Sequence, residues 1–318
     1  SFLAPKVLPL GVDFDERSTI SDSYQEKIDA LPSLKNFAQF KQRQDNDLKD
    51  TWKQLKIDIH QLANNETEEN IFYKLLLLKM QEKEKNNDIS RLYFLGVDRE
   101  DITKGFESRL DAIDGFFERF PIAKKLVTFV MLNSPTRTKV PEYQKLQKQI
   151  HGDDSRPNQE EGRLGELRKK YGNETIYTLP SMPSDNIPVL HRLADSPIVT
   201  SRKDGLHLLP PEMIAAHANK KNSKLSPIIS LGAGIAHVLK KAEKEGHLKP
   251  GDITYYKPGD VEALITAFAT TLVRTQSEVQ ASLKRLTAFV KNHLRLDDWL
   301  KENIAAICNN PTVKKSPH

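Results

Sequence analysis

Residues 126–142 read LVTFVMLNSPTRTKVPE, and this stretch decides the fold expected of the chain. Its first seven residues are almost wholly apolar, and we interpret them as a buried helix. A polar turn follows, and Pro141 suits the first position of another helix, which places Glu142 in that helix's first turn. The stretch therefore predicts a short loop held between two helices, with Arg137 in the loop.

Helical periodicity extends over most of the remaining chain. Apolar side chains recur every three or four residues, the spacing that forms one face of a helix. Asp98 is expected to cap the helix that carries Ile102 and Phe106, and the best strand candidate is the short run 175–177. The pattern predicts a mainly α, compact multi-helix domain with at most a few short strands. The expected helices are 33–62, 67–78, 98–120, 141–151, 210–218, 227–244, 260–294 and 297–308.

The length of the chain and the positions of its loop-forming residues favour a single domain. Its 318 residues suffice for one large domain or two ordinary ones. We expect one helical domain over residues 1–318 with an internal loop region near 152–188, and Ser1 indicates a fragment of a larger protein. The prolines at 180, 183 and 188 could instead mark a domain boundary, and periodicity does not decide between these alternatives.

Composition narrows the function classes. Hydrophobic residues make up 38% and charged residues 29%, with a net charge of +5 and a pI of about 9.0. Basic and acidic residues alternate, as in KMQEKEK at 79–85, which is typical of solvated helix faces and argues against nucleic acid. A single cysteine, Cys308, excludes an internal disulfide framework. No apolar run approaches the ~18 residues that cross a bilayer, so we expect no membrane span. We also expect the chain to be a monomer.

Motifs for small-molecule chemistry are weak. His207 and His217 flank Glu212 but lack metal-ligand spacing, so no metal site is expected. The run LGAGI at 231–235 is similar to a glycine-rich phosphate loop, yet it lies within a helical pattern, which favours close helix packing. Residues 153–154, both Asp, are more typical of a turn than of a cation site.

Arg137 and Glu142 are the candidate catalytic residues. An Arg carries a permanent charge, and its planar fork matches phosphate oxygens. On a loop between helices, Arg137 could enter a partner's site, and Glu142 could orient a second group there. The spacing suggests an arginine finger and a positioning carboxylate that act on a nucleotide-binding partner. The alternative is that Arg137 is solvated and Glu142 only complements the helix dipole.

An Arg137 followed five residues later by Glu142, in a helical domain of this length, resembles the LepB-type Rab GTPase-activating domain of secreted Legionella effectors. The resemblance implies a GTPase-activating protein for Rab small GTPases. Arg137 would neutralise charge on the transferring phosphoryl group, and Glu142 would hold the GTPase's own glutamine. The arginine and glutamine motifs of TBC-type activators, I-x-x-D-x-x-R and Y-x-Q, are missing, so a non-TBC activator is implied.

The same resemblance implies a partner, a source of cofactors and a cellular location. The partner would be a GTP-bound host Rab, and the GTP and Mg²⁺ would belong to that partner, with no cofactor and no independent turnover in the chain itself. The location would be the host cell, at the cytosolic face of the bacterium-containing vacuole. Two alternatives stay open: a helical interaction scaffold without GTPase stimulation, and a nucleic-acid-binding protein suggested by the pI alone.

Overall fold

A six-stranded parallel sheet forms the centre of the computed structural model, which describes residues 24–64, 70–152 and 162–295. The strands are β1 Leu92–Arg99, β2 Val127–Ser134, β3 Ile176–Leu179, β4 Ser196–Val199, β5 Ile228–Ser230 and β6 Thr254–Tyr256. Their order is β3-β2-β1-β4-β5-β6, and each neighbouring pair runs parallel. This order is that of a doubly wound α/β fold.

Helices connect the strands. They are α1 Tyr24–Ala30, α2 Pro32–Ala63, α3 Asn70–Lys85, α4 Phe106–Arg119, α5 Pro141–His151, α6 Arg163–Tyr171, α7 Ile187–Leu193, α8 Leu209–His217, α9 Gly234–Lys244, α10 Val261–Val273 and α11 Gln276–His293. The helices cover both faces of the sheet, because alternate residues of β1 belong to different apolar clusters. Leu92 and Phe94 pack with α4 and α10, whereas Tyr93 and Leu95 pack with α2, α8 and α11.

The prediction of a mainly α domain is wrong. Residues 126–132, interpreted as a buried helix, form most of β2, and seven consecutive residues of that strand are buried. A strand covered on both faces needs apolar side chains at every position, so it loses the polar–apolar alternation by which strands are usually recognised. The Val and Phe content of the run, which favours a strand, was the signal that could have corrected the interpretation.

Two further helix predictions fail at strand boundaries. Asp98 does not cap a helix but lies in β1, and α4 begins only at Phe106 after a 3₁₀ turn over Ile102–Lys104 that Asp101 caps. The helix expected over 227–244 is a short strand, β5, followed by a turn and α9. The glycine-rich run at 231–235 therefore does follow a strand, contrary to the prediction.

Several local predictions are confirmed. The helix expected over 33–62 is α2, the run 175–177 overlaps β3, and Gly152 ends α5. By contrast, the single helix expected over 260–294 is wrong: the segment forms two helices, α10 and α11, and a capping box of Thr275 and Glu278 begins the second of them. The predictions at 153–154, at 297–308 and at Cys308 lie outside the described residues. Among the described helices, none is long and apolar enough to cross a membrane.

Candidate functional site

The strand order locates a crevice at one edge of the sheet. From β1 the chain winds outward to β2 and β3, whereas β4, β5 and β6 lie on the other side of β1. Connections that leave β1 and β4 therefore diverge at the carboxyl ends of these strands, and ligands of open α/β sheets bind at such a point. Here the loop from β1 to α4 faces the loop from β4 to α8.

A cleft of about 470 Å³ opens at this position. One part of its wall is apolar, and the other part carries charged and polar groups from both loops. The residues that line it are Val97, Asp98, Arg99, Lys104, Leu132, Ser134, Met182, Ile187, His191, Asp204, His207, Leu208, Leu209 and Glu212.

Asp98, at the end of β1, is the buried centre of the charged part. Its Oδ2 accepts a hydrogen bond from Arg109 of α4 at 2.5 Å, and its Oδ1 lies 3.0 Å from His207 Nε2. Burial by itself would raise the pKa of Asp98, but Arg109 and His207 outweigh burial and lower the pKa to about 2. Asp98 is therefore ionised and joins the β1 loop to the β4 loop.

Arg109 is fully buried and supported from three sides. Its Nε donates to Thr200 Oγ1 at 3.0 Å, and its guanidinium lies 5.2 Å from the centre of the Phe106 ring. Gly96 of β1 leaves room for the guanidinium, since a Cβ at this position would collide with Arg109 Nη1. The glycine inside a strand thus marks the close approach of a charged group.

Lys104 reaches across the cleft from the β1 loop. Its Nζ lies 2.5 Å from Asp204 Oδ2 and 3.6 Å from Asp98 Oδ1, and its side chain is largely buried. Arg99, the last residue of β1, is exposed, and its guanidinium contacts no acceptor within residues 24–64, 70–152 and 162–295. The cleft therefore holds one cation that is anchored and another that is available to a ligand.

The loop from β4 to α8 is held by the turn that follows β5. Asp204 N donates to Gly232 O at 3.0 Å, Gly234 N donates to Asp204 O at 3.1 Å, and Ile235 N donates to Leu206 O at 2.8 Å. Side chains at residues 232 and 234 would collide with the backbone of residues 201–205, which explains both glycines. These glycines serve a close backbone contact, although not the helix contact that the sequence suggested.

The backbone of this loop presents unused donors. The N–H groups of residues 205–209 donate no hydrogen bond to any acceptor in the described part of the chain. They precede α8, whose Pro210 and Pro211 lack N–H groups altogether. A run of free N–H groups at the start of a helix is a favourable environment for an anion.

Glu212 supplies the cleft with a carboxylate from the first turn of α8. Its Oε2 lies 3.9 Å from Nδ1 of the buried His191, and its side chain is mostly buried. A carboxylate in this setting accepts hydrogen bonds from hydroxyl groups. Within the described residues, no group of three or more His, Cys, Asp or Glu side chains could hold a metal ion.

His207 has a backbone φ of +69°, a region that residues other than glycine seldom occupy and in which Asn, Asp and His are the commonest exceptions. We expect His207→Asn to change the free energy of unfolding by less than about 1 kcal/mol, because Asn tolerates this conformation and can reach a carboxylate. His207→Val should lower it by roughly 2–3 kcal/mol, because a β-branched residue is strained there and Asp98 loses a donor. Urea unfolding measures both, with the exposed His237→Val as the control. Equal losses for Asn and Val would contradict this explanation.

Arg137 and Glu142 do not line the cleft. Arg137 lies on the loop after β2, with φ of +48°, and its Nη1 donates to Tyr143 Oη at 2.6 Å. Tyr143 in turn donates to Asp101 at 3.2 Å, so Arg137 is tied to the β1 loop at the same edge of the sheet. Glu142 is exposed in the first turn of α5 and borders a smaller depression beside Gly105. The loop follows a strand and not a helix, contrary to the prediction.

Sequence reasoning missed most of the cleft. The sequence patterns do not single out Arg99, Lys104 or Asp204, and they indicate His207 only as a rejected metal ligand and Glu212 only as the residue between two histidines. The available signal was the pair of segments DREDITKG, residues 98–105, and RKDG, residues 202–205, each of which follows an apolar run. Recognising them required the preceding runs to be identified as strands.

Comparisons with known proteins match this architecture. The profile of glycosyltransferase family 20 matches residues 33–308. A probable alpha,alpha-trehalose-phosphate synthase (UDP-forming) of Arabidopsis thaliana is 36% identical over 128 residues, which are 40% of this chain and 15% of that protein. The bifunctional trehalose-6-phosphate synthase/phosphatase of Thermoproteus tenax is 29% identical over 205 residues, 64% of this chain and 25% of that protein. The chain thus spans no more than a quarter of either relative.

Solved structures show the same fold. The alpha,alpha-trehalose-phosphate synthase of Burkholderia xenovorans in complex with glucose-6-phosphate has a TM-score of 0.58 and 19% identity, over 74% of this chain and 49% of that one. The E. coli enzyme bound with UDP-2-fluoro glucose has a TM-score of 0.57 and 18% identity, over 80% of this chain and 50% of that one. The likeness establishes a GT-B-like α/β fold.

These matches overturn the resemblance to a Rab GTPase-activating domain. The GTPase-activating function, the scaffold alternative and the host Rab partner are all wrong, because the family matched along most of the chain is one of glycosyltransferases. The resemblance depended on two residues and a spacing, and neither the strands around them nor the parallel sheet is compatible with an all-helical domain.

Proposed function

The chain belongs to glycosyltransferase family 20, and from this premise we propose that it is the donor-binding part of a UDP-forming trehalose-6-phosphate synthase. The donor would be UDP-glucose and the acceptor glucose 6-phosphate. In the reaction, the bond between the anomeric carbon of the donor glucose and the β-phosphate oxygen breaks, and its electron pair leaves with UDP. The acceptor hydroxyl forms the new bond to the anomeric carbon and gives up its proton to an oxygen of the departing phosphate.

The observation that carries the proposal is the convergence of cations and free N–H groups at the switch point of the sheet. A nucleoside diphosphate carries two to three negative charges, and it needs donors around it because burial removes its water. The exposed guanidinium of Arg99, the ammonium of Lys104 and the N–H groups of residues 207–209, all of which belong to residues that line the cleft, supply such donors. The start of α8 adds its positive dipole end.

The remaining wall suits a nucleoside. Glu212 offers carboxylate oxygens to ribose hydroxyls, a role that acidic residues fill in related nucleotide sites. The apolar side chains of Leu132, Met182 and Ile187 border the other part of the cleft, where a base can pack. The diphosphate then lies toward Arg99 and Lys104, and the glucose lies beyond it.

Lys104 is the residue that we assign to bond breaking. Its ammonium is anchored between Asp204 and Asp98, so it requires little reorganisation when negative charge grows on the departing phosphate. Arg99 acts with it as a second cation on the diphosphate. No group in the cleft needs to act as a nucleophile for this scheme.

Arg137 is a candidate for the second phosphate of the reaction. It lies at the same edge of the sheet, on the loop after β2, and its guanidinium is exposed while Tyr143 orients it. An Arg fork is suited to a terminal phosphate group such as that of a sugar phosphate. Arg137 would therefore still bind a phosphate, but that of an acceptor sugar. Glu142 receives no role in this proposal.

Calorimetric titration of the chain with UDP tests the proposal. We expect UDP and UDP-glucose to bind in a one-to-one complex, and ADP to bind at least tenfold more weakly. Release of UDP from UDP-glucose should then increase on addition of glucose 6-phosphate and not of glucose. If UDP binds but glucose 6-phosphate does not increase the release of UDP from UDP-glucose, the chain binds the donor and does not by itself complete the transfer. An absence of UDP binding would overturn the proposal.

A further inference from the structure

A second, much smaller cavity lies at the opposite edge of the sheet, where β1 begins. Its volume is about 20 Å³, and it is enclosed by α3, the start of β1, the segment before β5 and the junction of α10 with α11. Four of the side chains that line it are basic, and none is acidic. The lining residues are Lys79, Lys83, Leu92, Lys224, Thr271, Leu272, Arg274, Gln276 and Val279.

The ammonium groups of two lysines meet at Ser90. Lys83 Nζ donates to Ser90 O at 2.6 Å, and Lys224 Nζ donates to Ser90 Oγ. Within residues 24–64, 70–152 and 162–295, Lys83 forms no ion pair, and the carboxylate nearest to Lys224 is that of Asp88 at 3.8 Å. Two basic side chains are therefore held together at a place where the cavity lining itself has no acidic side chain.

The other two cations add to this excess. Lys79 pairs with Glu82 at 2.9 Å, outside the cavity lining. Arg274 donates to the hydroxyl groups of Ser226 and Ser282 and forms no ion pair with any described residue. Asp195 attracts Lys83 and Lys224, and Glu278 attracts Arg274 and Lys79, but neither carboxylate lines the cavity. Burial, followed by the charge of Lys224, keeps the pKa of Lys83 well below its usual value, and the attraction of Asp88 and Asp195 does not offset these two causes.

Thr271 lines the same cavity. On the same helix, Thr266 and Thr270 donate to the carbonyl four residues earlier, at 3.0 and 2.8 Å. A Thr within a helix commonly satisfies its hydroxyl group by this hydrogen bond to its own helix backbone. Thr271 is 5% exposed, yet its Oγ1 has no hydrogen-bond partner among the described residues. Its hydroxyl is therefore a buried donor that lines a cationic cavity and lacks an acceptor.

We propose that this cavity binds a single halide ion, with chloride as the natural ligand, held by Lys83, Lys224, Arg274 and the Thr271 hydroxyl. A water molecule would satisfy Thr271 but would add no negative charge to a lining whose charged side chains are all basic. A phosphate or sulfate ion is larger than a space that accommodates about one water-sized sphere. The ion joins α3, the segment before β5 and the α10–α11 junction, so its role is to stabilise the fold far from the cleft.

Thermal unfolding of the whole chain tests the proposal at constant ionic strength, with gluconate replaced by chloride or bromide. A ligand that binds only the folded state stabilises it in proportion to the logarithm of its concentration above the Kd. We expect Tm to rise by roughly 2–4 °C for each tenfold increase in chloride. In crystals grown with bromide, an anomalous difference peak should appear between Lys83, Lys224 and Thr271.

Thr271→Val removes the hydroxyl without changing the shape, and the matched control is Thr270→Val on the exposed side of the same helix. Thr271→Val should weaken the apparent chloride affinity by roughly tenfold, because a hydrogen bond to a charged group is lost. Lys224→Met should abolish the chloride dependence of Tm, and Thr270→Val should retain it in full. UDP affinity should be independent of chloride in the wild type, which separates this result from the proposed function.

Two results would overturn the proposal. The first is a Tm that does not respond to the exchange of gluconate for chloride, together with no bromide peak in the cavity, which would mean that water alone occupies it. The second is a chloride dependence that persists unchanged in Thr271→Val, which would place the ion elsewhere. The bromide peak is measured on the wild-type chain, so it decides the question even where Lys224→Met fails to fold.

Discussion

Asp98→Ala is expected to lower the free energy of unfolding by roughly 3–5 kcal/mol, the range observed when one partner of a buried ion pair is removed. The variant leaves Arg109 buried with its charge uncompensated, and it deprives His207 and Lys104 of a shared acceptor. Asp98→Asn should lose nearly as much, because it keeps the shape but not the charge. Urea unfolding at pH 7 measures these losses.

The same carboxylate gives stability a defined dependence on pH. The pKa of Asp98 is lowered to about 2 in the folded chain, against about 3.9 in an unfolded one. Its contribution is therefore complete above about pH 5 and is lost as the pH falls through 4 toward 2. The difference in unfolding free energy between wild type and Asp98→Asn should shrink over this interval.

Asp185→Ala is the matched control, because Asp185 is exposed on a short 3₁₀ turn. Its unfolding free energy should stay within about 0.5 kcal/mol of the wild-type value. If Asp98→Ala and Asp185→Ala were equally mild, the carboxylate of Asp98 would not be the centre of the charged network, and the two loops would be held together by their backbone contacts alone.

Arg99→Ala is expected to weaken UDP binding roughly 10- to 100-fold, the loss that follows from removing one or two charge-assisted hydrogen bonds. The guanidinium is exposed and contacts no acceptor within the described residues, so its removal should leave Tm unchanged. Arg99→Lys should fall between wild type and Ala, because a point charge replaces a planar fork. Calorimetric titration with UDP, repeated at two salt concentrations, measures the effect.

Arg119→Ala is the matched control for Arg99→Ala, because it removes the same charge at a position outside the cleft. Arg119 ends α4 and pairs with Glu262 at the surface, and it does not line the cleft. The two variants have the same net charge, so a general electrostatic effect would weaken UDP binding in both. If both lost affinity to the same extent, Arg99 would be acting at a distance and would not contact the diphosphate.

Local sequence determined several of the helices, and it did so from residues that are close together along the chain. Apolar residues recur every three or four positions along α2 and α3, and the end of α5 follows from Gly152. Each of these features is encoded within about one or two turns, so it is visible without knowledge of the rest of the fold.

The strands and the cleft were decided by contacts between distant parts of the chain. β1 and β2 are buried on both faces, and their apolar runs carry no period that separates a strand from a buried helix. Asp98 and His207 are 109 residues apart, and only the parallel pairing of β1 with β4 brings their loops together. The residues of the cleft therefore became recognisable only once the order of the strands in the sheet was known, because that order, and no local pattern, sets which loops share an edge.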